Sequence, residues 1–176
     1  RRSGSCLASA AAAGLAAVGC DVTLLGITTT PTVGVMIKEL GCDGDINVTA
    51  SHNPIEWNGI KCLNSEGLAP AGRETAKIIA RFEGSQVDRV DGADCGRISY
   101  ADDAADHHVG KVLAMVDVDA IRAKGFRAIL DSVAASGGPA GRQLLEALGC
   151  DLVHLHGEPI GIFPHMPEPT EANLTE

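Results

Sequence analysis

Helical and strand-like patterns alternate through the first half of this 176-residue chain, and more than any other feature that alternation restricts it to a layered α/β fold. Ser3 can cap a helix running to about residue 18, with Leu7, Ala11, Gly14, Leu15 and Val18 on one face and Gly19 as its stop. Residues 21–25 then read as a short strand. Thr30 followed by Pro31 puts proline in the first turn of a second helix, whose stripe of Val33, Ile37 and Leu40 ends at Gly41. Residues 46–49 and 60–63 read as strands on either side of a loop. Ser65, Glu66 and Gly67 supply turn chemistry, and residues 72–82 form a third helix. The expected fold class is therefore α/β: a layered domain with a mixed sheet between helices.

From residue 84 to 106 the composition turns polar and acidic, with Gly84, Gly92 and Gly96 and no sustained period, which marks a boundary. Residues 1–103 are expected to form one domain and 104–176 the start of another. In the second part, 107–124 reads as a helix with a break near Asp117, 127–131 as a strand, 141–148 as a helix ending at Gly149, and 151–156 as a strand. That order of strand, Gly-rich turn, helix and strand predicts an incomplete second α/β unit of similar architecture.

With 45% hydrophobic residues but only 3% aromatics, Ala, Val, Leu and Ile must fill the core. A net charge of −9, without basic clusters or interleaved aromatics, excludes a nucleic-acid or anionic-membrane surface, so an anionic substrate needs a local positive site. Cys6, Cys20, Cys42, Cys62, Cys95 and Cys150 are scattered with no CxxC pair, which predicts reduced thiols rather than a zinc site or a disulfide framework. Asn47 and Asn173 begin N-x-T triplets, yet there is no signal peptide and no apolar run near 20 residues, so the expected location is the cytoplasm. The chain opens without methionine on an Ala-rich helix and stops in a polar stretch, which reads as an internal segment of a longer protein.

The chemistry concentrates in residues 49–61, TASHNPIEWNGIK. Pro54 has no N–H and biases Asn53 away from the helical region, so the chain should leave the strand as an ordered turn with Ser51 at its exit. A serine hydroxyl is a poor nucleophile unless a base or metal assists it, and His52 and Lys61 are the nearest groups able to move protons or offset phosphate charge. The plainer alternative is a turn in which Ser51 and Asn53 only satisfy backbone groups.

These thirteen residues closely resemble the active-site serine loop of the α-D-phosphohexomutases, the family of phosphoglucomutase, phosphomannomutase and phosphoglucosamine mutase. Arg2 with Ser3 resembles the end of the family's RDTR-S segment, Gly26 to Pro31 its strand-exit G-x-x-x-T-P run, and GEPIGIFPHMPEP, residues 157–169, the opening of its second domain. The resemblance implies that Ser51 is carried as a phosphoserine and that His52 and Lys61 serve as acid/base or phosphate-orienting groups. It also implies a Mg²⁺ touching the Ser51 phosphate, completed by aspartates of a DGDxDR loop outside this sequence. The implied reaction moves a phosphoryl group between the C1 and C6 oxygens of a hexose phosphate through a hexose bisphosphate. EWNGIK and FPHMPEP resemble the archaeal-like phosphoglucosamine mutases, with phosphoglucomutase or phosphomannomutase as the alternative. The segment alone is expected to be inactive. A non-catalytic phosphosugar-binding remnant is the reading from another class.

Two departures from the family pattern bear on geometry. Ala134 and Ala135 stand where relatives carry Asn-Gly, and Asp45 stands where a small residue usually precedes the serine-loop strand; an alanine replaces glycine harmlessly only where φ is negative. SGGPAG, residues 136–141, lacks GxGxxG spacing and reads as an ordinary βα turn. His154 and His156 share one strand face by period two, and His107 and His108 are adjacent on a helix; without a third ligand at defined spacing both pairs read as solvated.

Overall fold

The computed structural model describes residues 1–85 and 87–173. The chain runs α1 (Ser3–Ala16), β1 (Val22–Leu24), α2 (Thr30–Leu40), β2 (Gly44–Val48), β3 (Ile60–Asn64), α3 (Gly72–Gly84), β4 (Ile98–Tyr100), α4 (Ala104–Leu113), α5 (Val118–Arg122), β5 (Arg127–Asp131), α6 (Gly138–Ala147) and β6 (Asp151–Leu155). The expected mixed α/β layering is present as three two-stranded pieces between helices. β1 pairs with β4 and β5 with β6 in parallel, while β2 and β3 are antiparallel. Among the described residues no helix is long and apolar enough to cross a membrane.

Helix α2 is the centre of the core, and its ends form as the sequence dictates. The Thr29 side chain accepts from the Thr32 N–H, Pro31 occupies the first turn, and Gly41 closes the helix at φ 64° with its N–H on the Ile37 carbonyl. Thr32, Val33, Met36 and Ile37 are buried, and burial of a side chain such as Met36 contributes roughly 2 kcal/mol. Across from them lie Ala104 and Val109 of α4, and His108 Nδ1 meets the Thr32 hydroxyl at 2.9 Å. Helix α4 also packs on α6. In α1 the buried residues are Ala12 and Ala16, small enough for the helix to lie close on β1 and β2.

Three local expectations change. Ser3 does not cap α1; its hydroxyl accepts instead from Asn58 Nδ2 at 3.0 Å, so it ties the helix start to the loop that follows β2. The stretch 84–106, read as irregular, contains β4, whose three residues are all exposed and too few to show a period. β4 is registered against β1 by the Asp21 carboxylate, which accepts from the Arg97 N–H at 2.8 Å, and by Gly96, where a Cβ would collide with the Cys20 carbonyl. Third, the left-handed backbone falls on Val133 and Ala134, both at φ 51° and each costing on the order of 1 kcal/mol, whereas Ala135, which stands where relatives carry glycine, is not among the positive-φ residues and replaces it without that strain.

Asp45 in β2 explains why a small residue suits that position. Its Oδ2 is buried without a hydrogen-bond partner, and burial pushes its pKa up to about 6 despite the Ile46 N–H, which favours the charged form. A folded-state pKa above the unfolded value means that protonation favours the fold: the stabilisation is complete below about pH 4 and is lost as pH rises through 6. Asp45→Asn should therefore raise Tm at pH 7.5 by about 2 to 4 °C, allowing for partial exposure, and by much less at pH 4. Melting curves at the two pH values check it; an equal gain at both rules out the titration.

Candidate active site

Strand β2 ends at Val48, and the chain makes one further cross-strand bond, from the Thr49 N–H to the Gly59 carbonyl at 2.9 Å, before it turns. Asn53 folds the turn on itself, its backbone N–H (3.0 Å) and Nδ2 (2.8 Å) both donating to the Ala50 carbonyl. The Trp57 N–H donates to the Pro54 carbonyl at 3.1 Å, and at Gly59 a Cβ would press on the Thr49 carbonyl at 3.1 Å. Asn, Pro and Gly thus do what turn chemistry requires, and Ser51 is left at the tip with φ 51°. A left-handed serine is strained by on the order of 1 kcal/mol.

Two distant segments hold this conformation. One guanidinium nitrogen of Arg1 donates to the carbonyls of Ser51 (3.1 Å) and Asn53 (2.6 Å), and the guanidinium lies 5.1 Å from the ring centroid of Phe163. The resemblance at this end of the chain was carried by Arg2 with Ser3, and it is the neighbouring Arg1 that makes these hydrogen bonds. Its Nε is buried without a partner, and that desolvation lowers its pKa from the usual arginine value.

The three residues expected at the site are brought together to different degrees. Ser51 Oγ is 3.3 Å from His52 Nδ1, and His52 Nε2 is 3.7 Å from Glu168 Oε1, a hydroxyl, an imidazole and a carboxylate in series. Lys61, on β3 opposite Asn47, lines a recess of about 310 Å³ together with Thr49, Ser51, Asn53 and Trp57. His52 does not line the recess but stands at its edge beside Ser51. Lys61 is exposed, so in this structure it offers a cation facing water rather than a desolvated one. The arrangement can present an oxyanion-carrying group on Ser51 to a ligand in the recess, with one cation and one imidazole alongside.

The family model for phosphoglucomutase/phosphomannomutase, alpha/beta/alpha domain I, matches residues 1–88, half of the chain. The chain belongs to this family. A Methanosarcina acetivorans protein named "Probable phosphoglucosamine mutase" is 35% identical over 164 residues, covering 93% of this chain and 36% of that protein. A Thermococcus kodakarensis phosphoglucomutase/phosphomannomutase is 33% identical over 175 residues, 99% of this chain and 38% of its own length. The crystal structure of a Thermus thermophilus protein provisionally named a phosphomannomutase superposes with a TM-score of 0.79 at 27% identity, over 96% of this chain and 39% of that one. The chain thus spans well under half the length of these relatives.

Within this phosphoglucomutase/phosphomannomutase chain, the residues around Ser51 do not by themselves make a Mg²⁺ site. Magnesium takes an octahedron of oxygens, usually anchored by carboxylates, whereas the recess is lined by hydroxyls, amides and an ammonium with no carboxylate. The other histidine pairs separate. His154 Nε2 meets the Ser132 hydroxyl at 2.8 Å and its Nδ1 accepts from Arg142 at 3.1 Å, while His156, at φ 48°, leaves the strand and turns to Asp131 at 3.1 Å. The shared face expected from period two ends because the ladder ends at Leu155. His107 faces Asp103 and Glu39, whereas His108 faces Thr32. The SGGPAG turn opens α6 with Pro139 in its first turn, and a Cβ on Gly138 would strike the Gly157 carbonyl, which accounts for that glycine by close packing.

Arg1, Phe163 and Glu168 escaped the sequence reading as site residues. Arg1 lies 50 positions from Ser51, and Glu168 lies 116 positions from His52, so only the resemblance of GIFPHMPEP to a family segment hinted that the latter stretch matters.

Proposed function

We propose that Ser51 carries and transfers the phosphoryl group of a phosphosugar mutase interconverting hexose 1-phosphate and hexose 6-phosphate. The observation that supports it is the placing of Ser51 at a strained loop tip, 3.3 Å from His52 Nδ1, in one recess with Lys61. In the first step a sugar hydroxyl attacks the phosphorus of phosphorylated Ser51. The bond between phosphorus and Ser51 Oγ breaks, the sugar hydroxyl loses its proton to a base, and Oγ takes up a proton. The resulting hexose bisphosphate reorients, and Ser51 then attacks the other phosphate in the reverse sense. His52 is placed to hold the proton at the Ser51 oxygen, and Lys61 to offset phosphate charge, so catalysis rests on position and electrostatics. A Mg²⁺ would need carboxylates in addition to the Ser51 phosphate, and no step here depends on it.

Division of the chain at residue 103 into the serine-loop domain and the start of a second one, and a cytoplasmic location, belong to the same proposal; the six cysteines stand as free thiols. Glucosamine phosphate is the proposed substrate, because the archaeal relative named for that activity is 35% identical. The Thermococcus relative's name favours glucose or mannose phosphate as the second reading.

Peptide mass spectrometry of the native full-length protein should find phosphate on the peptide containing Ser51, and assays on the three hexose 1-phosphates should rank glucosamine first. Absence of phosphate at Ser51 together with no turnover on any of the three would identify a binding remnant instead. Turnover with phosphate on another serine would move the site.

A further inference from the structure

The parallel pair β5 and β6 ends with Asp131 facing Leu155, and immediately beyond that edge three side chains converge. Asp131 is the last residue of β5, His156 follows the last residue of β6, and His165 comes from the segment that runs on from β6. His156 Nδ1 lies 3.1 Å from Asp131 Oδ1, His165 Nε2 lies 2.8 Å from Asp131 Oδ2, and the donor atoms of all three fall within 4.8 Å of one another. We propose that Asp131, His156 and His165 form a binding site for a divalent transition cation of the zinc type.

The donor set selects the class of ion. Two imidazole nitrogens and one carboxylate suit Zn²⁺, Co²⁺ or Ni²⁺, whereas Mg²⁺ and Ca²⁺ require oxygen ligands. Bonds of about 2.0–2.1 Å to a tetrahedral ion put neighbouring ligand atoms roughly 3.3 Å apart, close to the separations seen between each imidazole and the carboxylate. The side chains are about one third exposed (30% for His165, 33% for Asp131, 43% for His156), which leaves the fourth position open to water and the ion a way in.

A second observation concerns the tautomer. His165 Nδ1 lies 3.1 Å from the Met166 carbonyl oxygen, an acceptor, so its proton belongs on Nδ1. With that proton in place, a neutral ring turns its Nε2 lone pair toward the Asp131 carboxylate 2.8 Å away, and either a second ring proton or a bound cation bridges the two. An N–H donated to a backbone carbonyl from the ring nitrogen that does not bind metal is also the usual support of a metal-binding histidine. Asp131 is held in turn, its Oδ1 accepting from the Val133 N–H at 2.9 Å.

The consequence lies in the chain between these residues. His165 sits on the same segment as Phe163, which lies against Arg1, and Glu168, which faces His52. A cation bound to His165 would pin that segment to the end of the β5–β6 pair and so fix two of the supports of the Ser51 loop. The site does not depend on the reaction proposed for Ser51, and either reading survives failure of the other.

Titration of the full-length protein with Co²⁺ alone tests it. One equivalent should give a saturable visible d–d band without a thiolate charge-transfer band, both before and after alkylation of the cysteines. His165→Gln and His156→Gln, shown by circular dichroism to keep the fold, should each weaken binding at least about tenfold. In the wild-type protein, paramagnetic broadening of imidazole resonances should begin with His156 and His165 and spare His107 and His108, a readout that needs no variant. Absence of a saturable band, a band carrying thiolate character, binding unchanged in both folded variants, or broadening centred on other histidines would overturn the site and leave a hydrogen-bonded cluster.

Discussion

Ser51→Ala in the full-length protein is expected to lose at least about four orders of magnitude in kcat, the scale seen when a covalent nucleophile is removed and only binding and electrostatics remain. The expectation rests on position: Ser51 lines the recess, lies 3.3 Å from an imidazole, and is held in a left-handed conformation that Arg1 braces through two carbonyls. The backbone bonds of the loop run through Ala50, Asn53, Pro54 and Gly59 and owe nothing to the serine hydroxyl, so the variant should fold and keep its melting temperature. Steady-state assays on hexose 1-phosphate with bisphosphate activator measure it. A variant that retains a tenth of the wild-type turnover would remove Ser51 from the chemistry and leave the loop as a binding element.

Lys61→Met is expected to lower kcat by about a hundredfold while changing KM much less, as befits a charge that matters most while the phosphoryl group is in transit. Lys61 reaches the recess from β3, and in this structure it is exposed and makes no ion pair among the described residues. If its role were only general attraction of an anionic substrate, KM would rise and kcat would hold. If it carried the proton rather than the charge, Lys61→Arg would fail to rescue; rescue to within a few fold identifies charge as its contribution. The same comparison at His52, with His52→Gln, separates the proton from the phosphate: loss of the acid limb of the pH profile there places the proton on the imidazole.

Much of the fold was legible because its signals are local. The start and stop of α2 follow from Thr29, Pro31 and Gly41, and β5 occupies residues 127–131 as its pattern predicts. The break near Asp117 between α4 and α5 is present, with the Asp117 side chain accepting from the Ala120 N–H. What was not legible failed for specific reasons. β4 is three exposed residues long, so it carries no period and exists only because β1 offers it a parallel partner. Ser3 satisfies every rule for a cap, yet its hydroxyl is taken by Asn58, a partner 55 residues away. His154 and His156 obey strand alternation only while the strand lasts, and the positive φ of His156 ends it.

By itself the sequence determined the Ser51 loop: proline removes a donor, asparagine closes the turn on Ala50, glycine lets the backbone pass Thr49, and these are constraints on neighbouring atoms that no distant contact need supply. It also determined the chemical inventory, a hydroxyl, an imidazole and an ammonium within eleven residues. Only the tertiary structure decided which groups surround them. That Arg1 rather than Arg2 grips the loop, that Glu168 stands behind His52, and that Asp131 gathers His156 and His165 all depend on chain crossings many residues apart. Such contacts are set by where β5, β6 and the segment after them come to rest, and no periodicity along the chain encodes the meeting of two side chains that packing alone brings together.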